Sequence, residues 1–196
     1  MEEAIRLPAQ HLTPAAYAPF GRVIDASALT QTPEAGISAN QNTARRLNAV
    51  SPLTNLRPEG KTEREPAQPN LCLFRCSPRA ERPFPVRLLE RHPFSTQMFM
   101  PIAGPSPKGT PDYLVIVAEN GTDDRPNLNS LKAFVARPWQ GITYHPGIWH
   151  HPMVALHQTT DFLSLVWENS HDNEDCNVVQ LPADLIIQVD LSDFSR

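Results

Sequence analysis

Histidines are concentrated in one short part of the sequence. Four of the seven, His145, His150, His151 and His157, fall within 13 residues, and Tyr144 precedes the first of them. Histidine is the side chain whose charge changes nearest neutral pH, and it is also the commonest metal ligand. His150 and His151 are adjacent, so on an extended strand they point to opposite sides. We therefore predict that at least one of these imidazoles takes part in chemistry. The simpler alternative is one core histidine beside one surface histidine.

A second group of side chains suited to chemistry lies at Glu90, His92 and Gln97. Glu90 and His92 are two residues apart, which places them on the same face of a strand. Gln97 follows a bend that contains Pro93. A carboxylate beside an imidazole can act as an acid–base pair or as an orienting pair. An ordinary surface ion pair would show the same pattern.

Polar side chains elsewhere could bind a substrate. Asn40 and Gln41 stand shortly before the adjacent pair Arg45 and Arg46, and a guanidinium group binds a carboxylate through two parallel hydrogen bonds. A solvated basic loop is the alternative for this segment. Asp161 enters a strongly apolar run, where a carboxylate often has a buried partner, although a turn residue would also fit.

The overall composition excludes several classes of partner. The chain has 196 residues and a net charge of −4, so it lacks the basic surface that nucleic-acid binding requires. No apolar run reaches the roughly 18 residues of a membrane span, and the acidic N-terminal residues are unlike a secretory signal. Phosphate-binding loops, dinucleotide glycine patterns and nucleophile elbows are absent from the sequence. The three cysteines follow no disulfide or zinc spacing, which indicates reduced thiols in a cytoplasmic protein.

The elements that must position these side chains are short strands. The sequence has 21 prolines and 8 glycines, and proline is excluded from helix interiors and central strands. Short apolar runs at regular spacing, separated by turn residues, predict a mainly β sandwich or barrel. The predicted strands are 71–76, 86–90, 96–102, 113–119, 131–136, 141–144, 153–157, 160–168, 177–181 and 185–189.

Weaker patterns precede these strands. Residues 14–19 predict one short helical turn, with Thr13 as its N-cap and Pro14 as its first residue. Residues 25–48 predict a loop that has a short strand near 44–49. Residues 55–70 hold almost no core-forming side chains, which predicts a surface insertion. The length fits a single domain over residues 1–196 that carries this insertion.

Several of these segments together resemble the ureidoglycolate lyase family. The matching segments, in order and at similar spacing, are YAPFGRVI at 17–24, the pair Asn40–Gln41, LERHP at 89–93, TQMFMP at 96–101, YHPGIWHHP at 144–152 and TDF at 160–162. The resemblance runs from about Leu12 to about Leu181. One departure is Asn42, where the family usually has glycine; asparagine tolerates left-handed backbone angles, so the turn could survive. The other is extra length at 55–70 and in the proline-rich segment 101–111.

The resemblance implies a cupin-like double-stranded β-helix, which is a jelly-roll barrel, with short flanking helices and a homodimeric assembly. It implies a cytoplasmic enzyme of purine and allantoin catabolism that splits ureidoglycolate into glyoxylate and urea. The expected catalytic residues are His92, His145, His150, Glu90 and Tyr144. The expected substrate-binding residues are Asn40, Gln41, Arg46, Gln97, His151 and Asp161.

Cleavage of that substrate needs a base for its hydroxyl proton and an acid for the leaving urea nitrogen. Each such group contributes on the order of 10²–10⁴-fold to the rate. We expect His150 or His145 as the base and His92 or Glu90 as the acid. Arg46 would hold the substrate carboxylate.

No cofactor is expected to be required, and no residue is assigned as a metal ligand. Metal-binding cupins usually have two close histidines and a glutamate in their first motif, whereas this chain offers Glu90, His92 and Gln97, with His150 in the second motif. A divalent metal, nickel for example, therefore stays an alternative. The competing functions are a metal-dependent cupin dioxygenase or isomerase and a non-catalytic cupin that binds a small carboxylic acid. A third alternative is the same fold acting on another ureido or hydroxy acid.

Overall fold

The computed structural model describes residues 3–27, 29, 36–58, 65–102 and 113–194. Residues 59–64 of the predicted insertion and 103–111 of the proline-rich segment lie outside the described residues. The strands, in chain order, are β1 (Glu3–His11), β2 (Gly21–Ile24), β3 (Ile37–Ala39), β4 (Ala44–Arg46), β5 (Gln68–Cys76), β6 (Phe84–Val86), β7 (Leu88–Arg91), β8 (Gln97–Pro101), β9 (Tyr113–Ala118), β10 (Lys132–Ala136), β11 (Gly141–Tyr144), β12 (Trp149–His150), β13 (Val154–Ala155), β14 (Thr160–Glu168), β15 (Asn177–Gln180) and β16 (Leu185–Asp190).

Helices are short in this fold. They are α1 (Pro14–Tyr17), α2 (Asp172–Asp175) and single 3-10 turns at Leu128–Ser130 and Ser192–Phe194. Helix α1 begins as the sequence predicts, because Thr13 caps it by accepting a hydrogen bond from the amide of Ala16 at 3.3 Å. Within the described ranges, no helix is long and apolar enough to cross a membrane.

Two sheets form the body of the molecule. Five strands lie in the antiparallel order β2-β11-β8-β14-β5. The nine-stranded sheet follows the order β15-β7-β12-β9-β10-β1-β16-β6, and β13 pairs with β9. Most of its pairs are antiparallel, but β1 runs parallel to both neighbours, β10 and β16. The mainly β, cupin-like barrel that the sequence predicted is confirmed.

Strand β9 lies between two apolar cores, and all six of its residues are buried. Alternate residues of a strand face opposite sides. Tyr113, Val115 and Val117 therefore join one core, together with Phe99, Phe134, Ile142, Tyr144 and Phe162. Leu114, Ile116 and Ala118 join the other, together with Phe84, Leu89, Val135, Trp149 and Ile187. Burial on both faces explains why this strand is a continuous apolar run rather than an alternating one.

Each of the ten predicted strands overlaps an observed one, but β12 falls between two of them and was not predicted. Further differences lie nearer the N-terminus. Strand β1 was not predicted, although its nine residues join the larger sheet. Residues 55–70 are only partly a surface insertion. Strand β5 already begins at Gln68, and the Arg57 side chain is only 6% exposed. Its burial depends on ion pairing across the fold, which a polar local sequence does not reveal.

Strands β3 and β4 form a two-stranded hairpin of their own. Asn40, Gln41 and Asn42 in its turn have left-handed φ angles of 50°, 57° and 71°. Residue 42 therefore keeps the backbone angle that the glycine usual in the family would adopt readily. The predicted loop of residues 25–48 thus contains an additional strand, β3, and its predicted strand near 44–49 corresponds to β4.

Candidate active site

Strands β7 and β12 lie side by side and bring Glu90 opposite His150. Glu90 Oε1 and His150 Nε2 are 3.6 Å apart. His150 is only 1% exposed, and its Nδ1 lies 3.0 Å from the carbonyl oxygen of Ile148. A carbonyl can only accept, so Nδ1 carries the proton of the neutral ring and Nε2 presents a lone pair.

Burial shifts the pKa values of this pair in opposite directions. Loss of hydration, helped by the neighbouring His92, lowers the pKa of His150 to about 3. Loss of hydration also raises the pKa of Glu90 above its ordinary value. Both shifts favour the uncharged form of the group concerned. His150 is therefore a neutral proton acceptor, and the Glu90 carboxyl beside it keeps its proton to a higher pH than an ordinary glutamate does.

The His92 ring stacks beside the His150 ring. The two ring centroids are 5.7 Å apart and the planes differ by 26°. His92 Nδ1 lies 2.5 Å from the backbone carbonyl oxygen of Asp175, so its Nε2 also presents a lone pair. Burial lowers the pKa of His92, which favours the neutral ring.

Three buried polar atoms of this cluster have no hydrogen bond of good geometry among the described residues: His92 Nε2, His150 Nε2 and Gln97 Oε1. The Gln97 side chain nevertheless lies close enough to His92 to raise the pKa of that ring. A buried polar atom without a partner costs about 1–3 kcal/mol, and nearly all such atoms in folded proteins are satisfied. Three acceptors in one cluster therefore point to a site for a ligand that donates hydrogen bonds. We define His92, His150, Glu90 and Gln97 as the imidazole cluster.

Tyr144 supports the cluster from the side of the barrel core. Its ring stacks on His150 with centroids 3.8 Å apart and planes 9° apart. The Tyr144 hydroxyl donates to the sulfur of Met153 at 3.6 Å. Burial raises the pKa of this phenol well above its usual value, so it stays neutral and holds the face of the His150 ring.

Residues on the faces of β7 and β12 that point away from the cluster contact one another and hold the two strands together. The Arg91 guanidinium lies 4.5 Å above the Trp149 ring and forms two hydrogen bonds with the Asp124 carboxylate, at 2.7 and 2.8 Å. Arg91 Nη1 and Trp149 Nε1 both donate to Asn120 Oδ1 at 2.8 Å. Each strand thus alternates a cluster residue with a residue that fixes the strand in place.

His151 faces away from His150, and the predicted alternation of the two adjacent rings is confirmed. The His151 ring packs edge-on against Phe84, with centroids 5.3 Å apart, and its Nδ1 lies 2.7 Å from the carbonyl oxygen of Pro152. Phe84 belongs to the second core. The structure therefore places His151, expected to bind substrate, on the side away from the imidazole cluster.

Asp161 is also directed away from the cluster. It precedes the buried Phe162 on β14 and lies on the opposite face of that strand. Its carboxylate pairs with Arg75 through two hydrogen bonds of 2.8 Å, and the Arg75 side chain is 76% exposed. The buried partner that the sequence suggested is therefore a surface arginine, because residue 161 falls on the outward-facing half of the alternation.

The remaining expected residues lie outside the cluster. Asn40, Gln41 and Arg46 are exposed on the β3–β4 hairpin, and in the described part of the chain no hydrogen bond or ion pair joins them to the imidazoles. His145 lies in the turn between β11 and β12, where its amide donates to the carbonyl of Phe20 at 2.9 Å. Within those same residues its ring makes no hydrogen bond or ring contact.

Sequence patterns did not reveal the support beneath His92. The carbonyl that fixes its ring belongs to Asp175, the last residue of α2, and Arg57 binds the Asp175 carboxylate at 2.8 Å. Residues 57, 92 and 175 are far apart in sequence, and the segments around the first and last are simply polar. Only the tertiary arrangement shows the connection.

The cluster does not fit a metal centre as it stands. Among the described residues, no group of three or more His, Cys, Asp or Glu side chains is arranged to hold a metal ion. Two imidazole lone pairs and the Glu90 carboxyl are the nearest approach to such a set.

Fold and site together define a class of protein, a cupin-like barrel in which a partly buried glutamate lies beside a buried histidine. A family model described as Ureidoglycolate lyase matches residues 4–188. The ureidoglycolate lyase of Schizosaccharomyces pombe is 33% identical over 95% of this chain and 98% of its own. Those of Burkholderia mallei and Rhizobium etli are 36% and 37% identical, over 89% and 78% of this chain and 88% and 78% of their own.

This chain belongs to the ureidoglycolate lyase family. Among solved structures, a dTDP sugar isomerase from Desulfovibrio desulfuricans G20 aligns over 76% of this chain and 80% of its own, with 16% identity and a TM-score of 0.37. A shared fold does not follow from a score at that level.

Proposed function

We propose that this chain cleaves ureidoglycolate into glyoxylate and urea by acid–base catalysis at the imidazole cluster. Membership of the family supports the activity. The observation that supports the mechanism most is the Glu90–His150 pair, 3.6 Å apart, in which burial lowers the pKa of the imidazole to about 3 and raises the pKa of the carboxyl. The reaction needs one base and one acid, and this pair supplies one of each.

In the proposed step, His150 Nε2 takes the proton of the substrate hydroxyl. The carbon–oxygen double bond of glyoxylate forms as the carbon–nitrogen bond breaks, and Glu90 gives its proton to the departing urea nitrogen. As Glu90 becomes an anion, it raises the proton affinity of the neighbouring imidazole, because an opposite charge stabilises the imidazolium. The two proton transfers therefore assist each other.

The same pair can restore its starting state. After the step, His150 carries an extra proton and Glu90 lacks one. Their atoms are 3.6 Å apart, so the proton can return from the imidazolium to the carboxylate after a small side-chain movement or through one water. No covalent intermediate is needed, and electrons and protons balance over the cycle.

The tautomer of His92 limits the role that this residue can have in the reaction. His92 Nε2 presents a lone pair, so the neutral ring can accept an N–H of the ureido group but cannot serve as the acid at that atom. Gln97 Oε1, which is also unpartnered among the described residues, is a second acceptor for the ureido N–H groups. We assign both to orienting the leaving group toward Glu90.

Recognition of the substrate carboxylate is assigned to Arg46, with Asn40 and Gln41 holding other polar atoms. All three side chains are exposed on the β3–β4 hairpin, and a free guanidinium suits a carboxylate. His145, in the turn between β11 and β12, remains the second candidate for the base. His151 and Asp161 face away from the cluster, which does not support a direct substrate contact for either.

The decisive experiment supplies ureidoglycolate to the purified chain and measures products. We expect glyoxylate and urea in equal amounts, with no ammonia. Prior treatment with a chelator should leave the rate unchanged, because the proposed step uses only protein groups. Ammonia as the nitrogen product would contradict the lyase reaction, and a rate abolished by chelator and restored by nickel would contradict the metal-free step.

We further propose that two copies of the chain associate through the outer face of the five-stranded sheet. Leu71, Leu73 and Ile102 are 61%, 70% and 54% exposed there, beside the Arg75–Asp161 pair. Opposite charges side by side are self-complementary across a twofold axis. Light scattering should give twice the chain mass, and Leu73→Glu should halve it, whereas Leu53→Glu on another exposed segment should not.

We place this activity in the cytoplasm. The three cysteines, Cys72, Cys76 and Cys176, are all free thiols, which suits a reducing compartment. Burial raises the pKa of Cys176 to about 11, so this thiol stays protonated and unreactive. Fluorescent tagging or cell fractionation would test the location, and recovery of the activity with secreted or organellar material would contradict it.

A further inference from the structure

Arg57 is a buried arginine whose side chain converges on one end of helix α2. One Nη donates to three acceptors: the carbonyl oxygen of Trp167 at 3.1 Å, that of Glu174 at 2.8 Å, and the Asp175 carboxylate at 2.8 Å. Its other Nη donates to Asn55 at 3.2 Å, and the guanidinium lies 6.0 Å from the Phe94 ring centroid. Such convergence of buried hydrogen bonds fixes the position of what the arginine binds.

Helix α2 cannot hold its own shape. It has four residues, far fewer than an isolated helix needs for stability in water. Asp172, Glu174 and Asp175 crowd three carboxylates into it, and like charges at this spacing repel one another. Arg57 contributes the opposite charge, pairing with Asp175 at 2.8 Å and approaching Glu174 at 4.0 Å.

The Asp175 carboxylate binds the backbone that leads into α2. It accepts from the amide of Asn169 at 2.9 Å and from the amide of His171 at 3.0 Å. The carboxylate is therefore the point at which Arg57 and the backbone ahead of α2 are joined. The backbone carbonyl of Asp175 accepts a hydrogen bond from Nδ1 of the His92 ring.

We propose that Arg57 is a positioning residue for His92. Through the Asp175 carboxylate it fixes the Asp175 carbonyl, and that carbonyl keeps the proton of His92 on Nδ1 and the lone pair of Nε2 toward the imidazole cluster. Arg57 touches neither the reacting atoms nor the cluster's open acceptors. Its role in catalysis rests on the proposed function of His92.

Arg57 also acts on the His92 ring through its charge. Burial is the main cause that lowers the pKa of His92. The hydrogen bonds to the Asp175 carbonyl and Gln97 and the Glu168 carboxylate raise it, and the positive charge of Arg57 makes a smaller contribution that lowers it. An imidazolium at this position would donate from both ring nitrogens and could no longer accept from a substrate N–H. Loss of Arg57 would free the ring to change tautomer, because the carbonyl that holds the proton on Nδ1 would no longer be fixed.

The first test measures the tautomer directly. Long-range proton–nitrogen spectra of protein labelled with nitrogen-15 in histidine distinguish a proton on Nδ1 from one on Nε2. We expect His92 to carry it on Nδ1 in the unaltered chain and to show a mixture of tautomers in Arg57→Gln. Arg79→Gln, which removes a surface arginine paired with Glu81, is the matched control and should leave the His92 signals unchanged.

The second test measures turnover in the same proteins. Arg57→Gln should lower kcat on the order of ten- to a hundredfold, because misplaced groups lose effective reaction geometry, with a much smaller change in KM. Arg57→Lys keeps the charge but not the planar fork, so it should restore only part of kcat.

Asp175→Asn covers the case in which Arg57→Gln does not fold, since it weakens the same ion pair and keeps the backbone carbonyl. An unchanged His92 tautomer in the folded variants would overturn the positioning role, even if turnover fell. A changed tautomer with unchanged kcat would support the positioning of the ring and would instead contradict the role of His92 in the reaction.

Discussion

The imidazole cluster and the β3–β4 hairpin differ in how their strands are paired and in how far their side chains are exposed. The cluster residues Glu90 and His150 lie on paired strands of a nine-stranded sheet, and the His150 ring stacks against Tyr144 and His92. The hairpin that carries Asn40 and Arg46 pairs only with itself, and both side chains are exposed.

In the proposed mechanism the two regions have different tasks. Proton transfer needs groups whose pKa values are shifted and whose positions are fixed, and burial within a sheet provides both. Recognition of a charged carboxylate needs a hydrated cation that can approach and withdraw, and a projecting hairpin provides that. Variants in the cluster should therefore change kcat and pH dependence, while variants in the hairpin should change KM.

The largest effect is expected from removing the proposed base. His150→Gln keeps a polar side chain but removes the acceptor nitrogen, and kcat should fall on the order of 10³-fold or more. Steady-state release of urea measures it. The exposed His157 in the same segment supplies the control, because His157→Gln should retain normal turnover. Turnover near that of the unaltered chain in His150→Gln would transfer the role of base to His145.

Removing the proposed acid should have the next largest effect. Glu90→Gln leaves a side chain of the same shape that cannot release a carboxyl proton, so kcat should fall on the order of 10²-fold or more. Burial raises the pKa of Glu90, and activity should decline as pH rises through that value, because the acid loses its proton. Glu90→Gln should abolish this alkaline limb. A limb that persists in the variant would show that another group is the acid.

The cluster and the hairpin also differ in how well the sequence predicts them. Glu90 and His92 share a strand face because residues two apart always do, and adjacent His150 and His151 must separate for the same reason. Local alternation was therefore enough to predict half of the cluster. The pairing of Glu90 with His150, which brings the halves together, depends on strand order and register and follows from no local rule.

Contacts between residues far apart in the chain could not be predicted from the sequence. Arg57 lies in a polar stretch that locally resembles a surface loop, yet its side chain is buried against Asp175. Strand β1 has weak alternation and a proline, and its two parallel partners come from the second half of the chain. Asp161 illustrates the opposite error, since its apolar neighbours suggested burial while the strand alternation places it outward.

A moderate effect is expected from the hairpin. Arg46→Ala should raise KM for ureidoglycolate roughly ten- to a hundredfold, the loss expected for one charge-assisted contact, with kcat nearly unchanged. Arg45→Ala is the matched control, because adjacent residues of β4 face opposite sides. Equal effects of the two variants would indicate that the hairpin contributes only general positive charge, and a loss confined to kcat in Arg46→Ala would contradict the division of tasks.

The smallest effect separates the two regions by stability rather than by turnover. The folded-state pKa of His150 is about 3, below the roughly 6.5 of an unfolded histidine. Above about pH 6.5 the ring is neutral in both states and adds no pH dependence. As pH falls below that value, the unfolded chain binds a proton that the folded chain excludes, so the free energy of unfolding should decrease by up to about 1.4 kcal/mol per pH unit.

Denaturant titrations between pH 4 and 7 measure the free energy of unfolding at each pH. Its slope against pH should be shallower for His150→Gln than for the unaltered chain. Arg46→Ala should keep the original slope, because its exposed guanidinium does not titrate in this range. An unchanged slope in His150→Gln would mean that the ring is hydrated, and the contrast between a buried cluster and an exposed hairpin would then fail at its central residue.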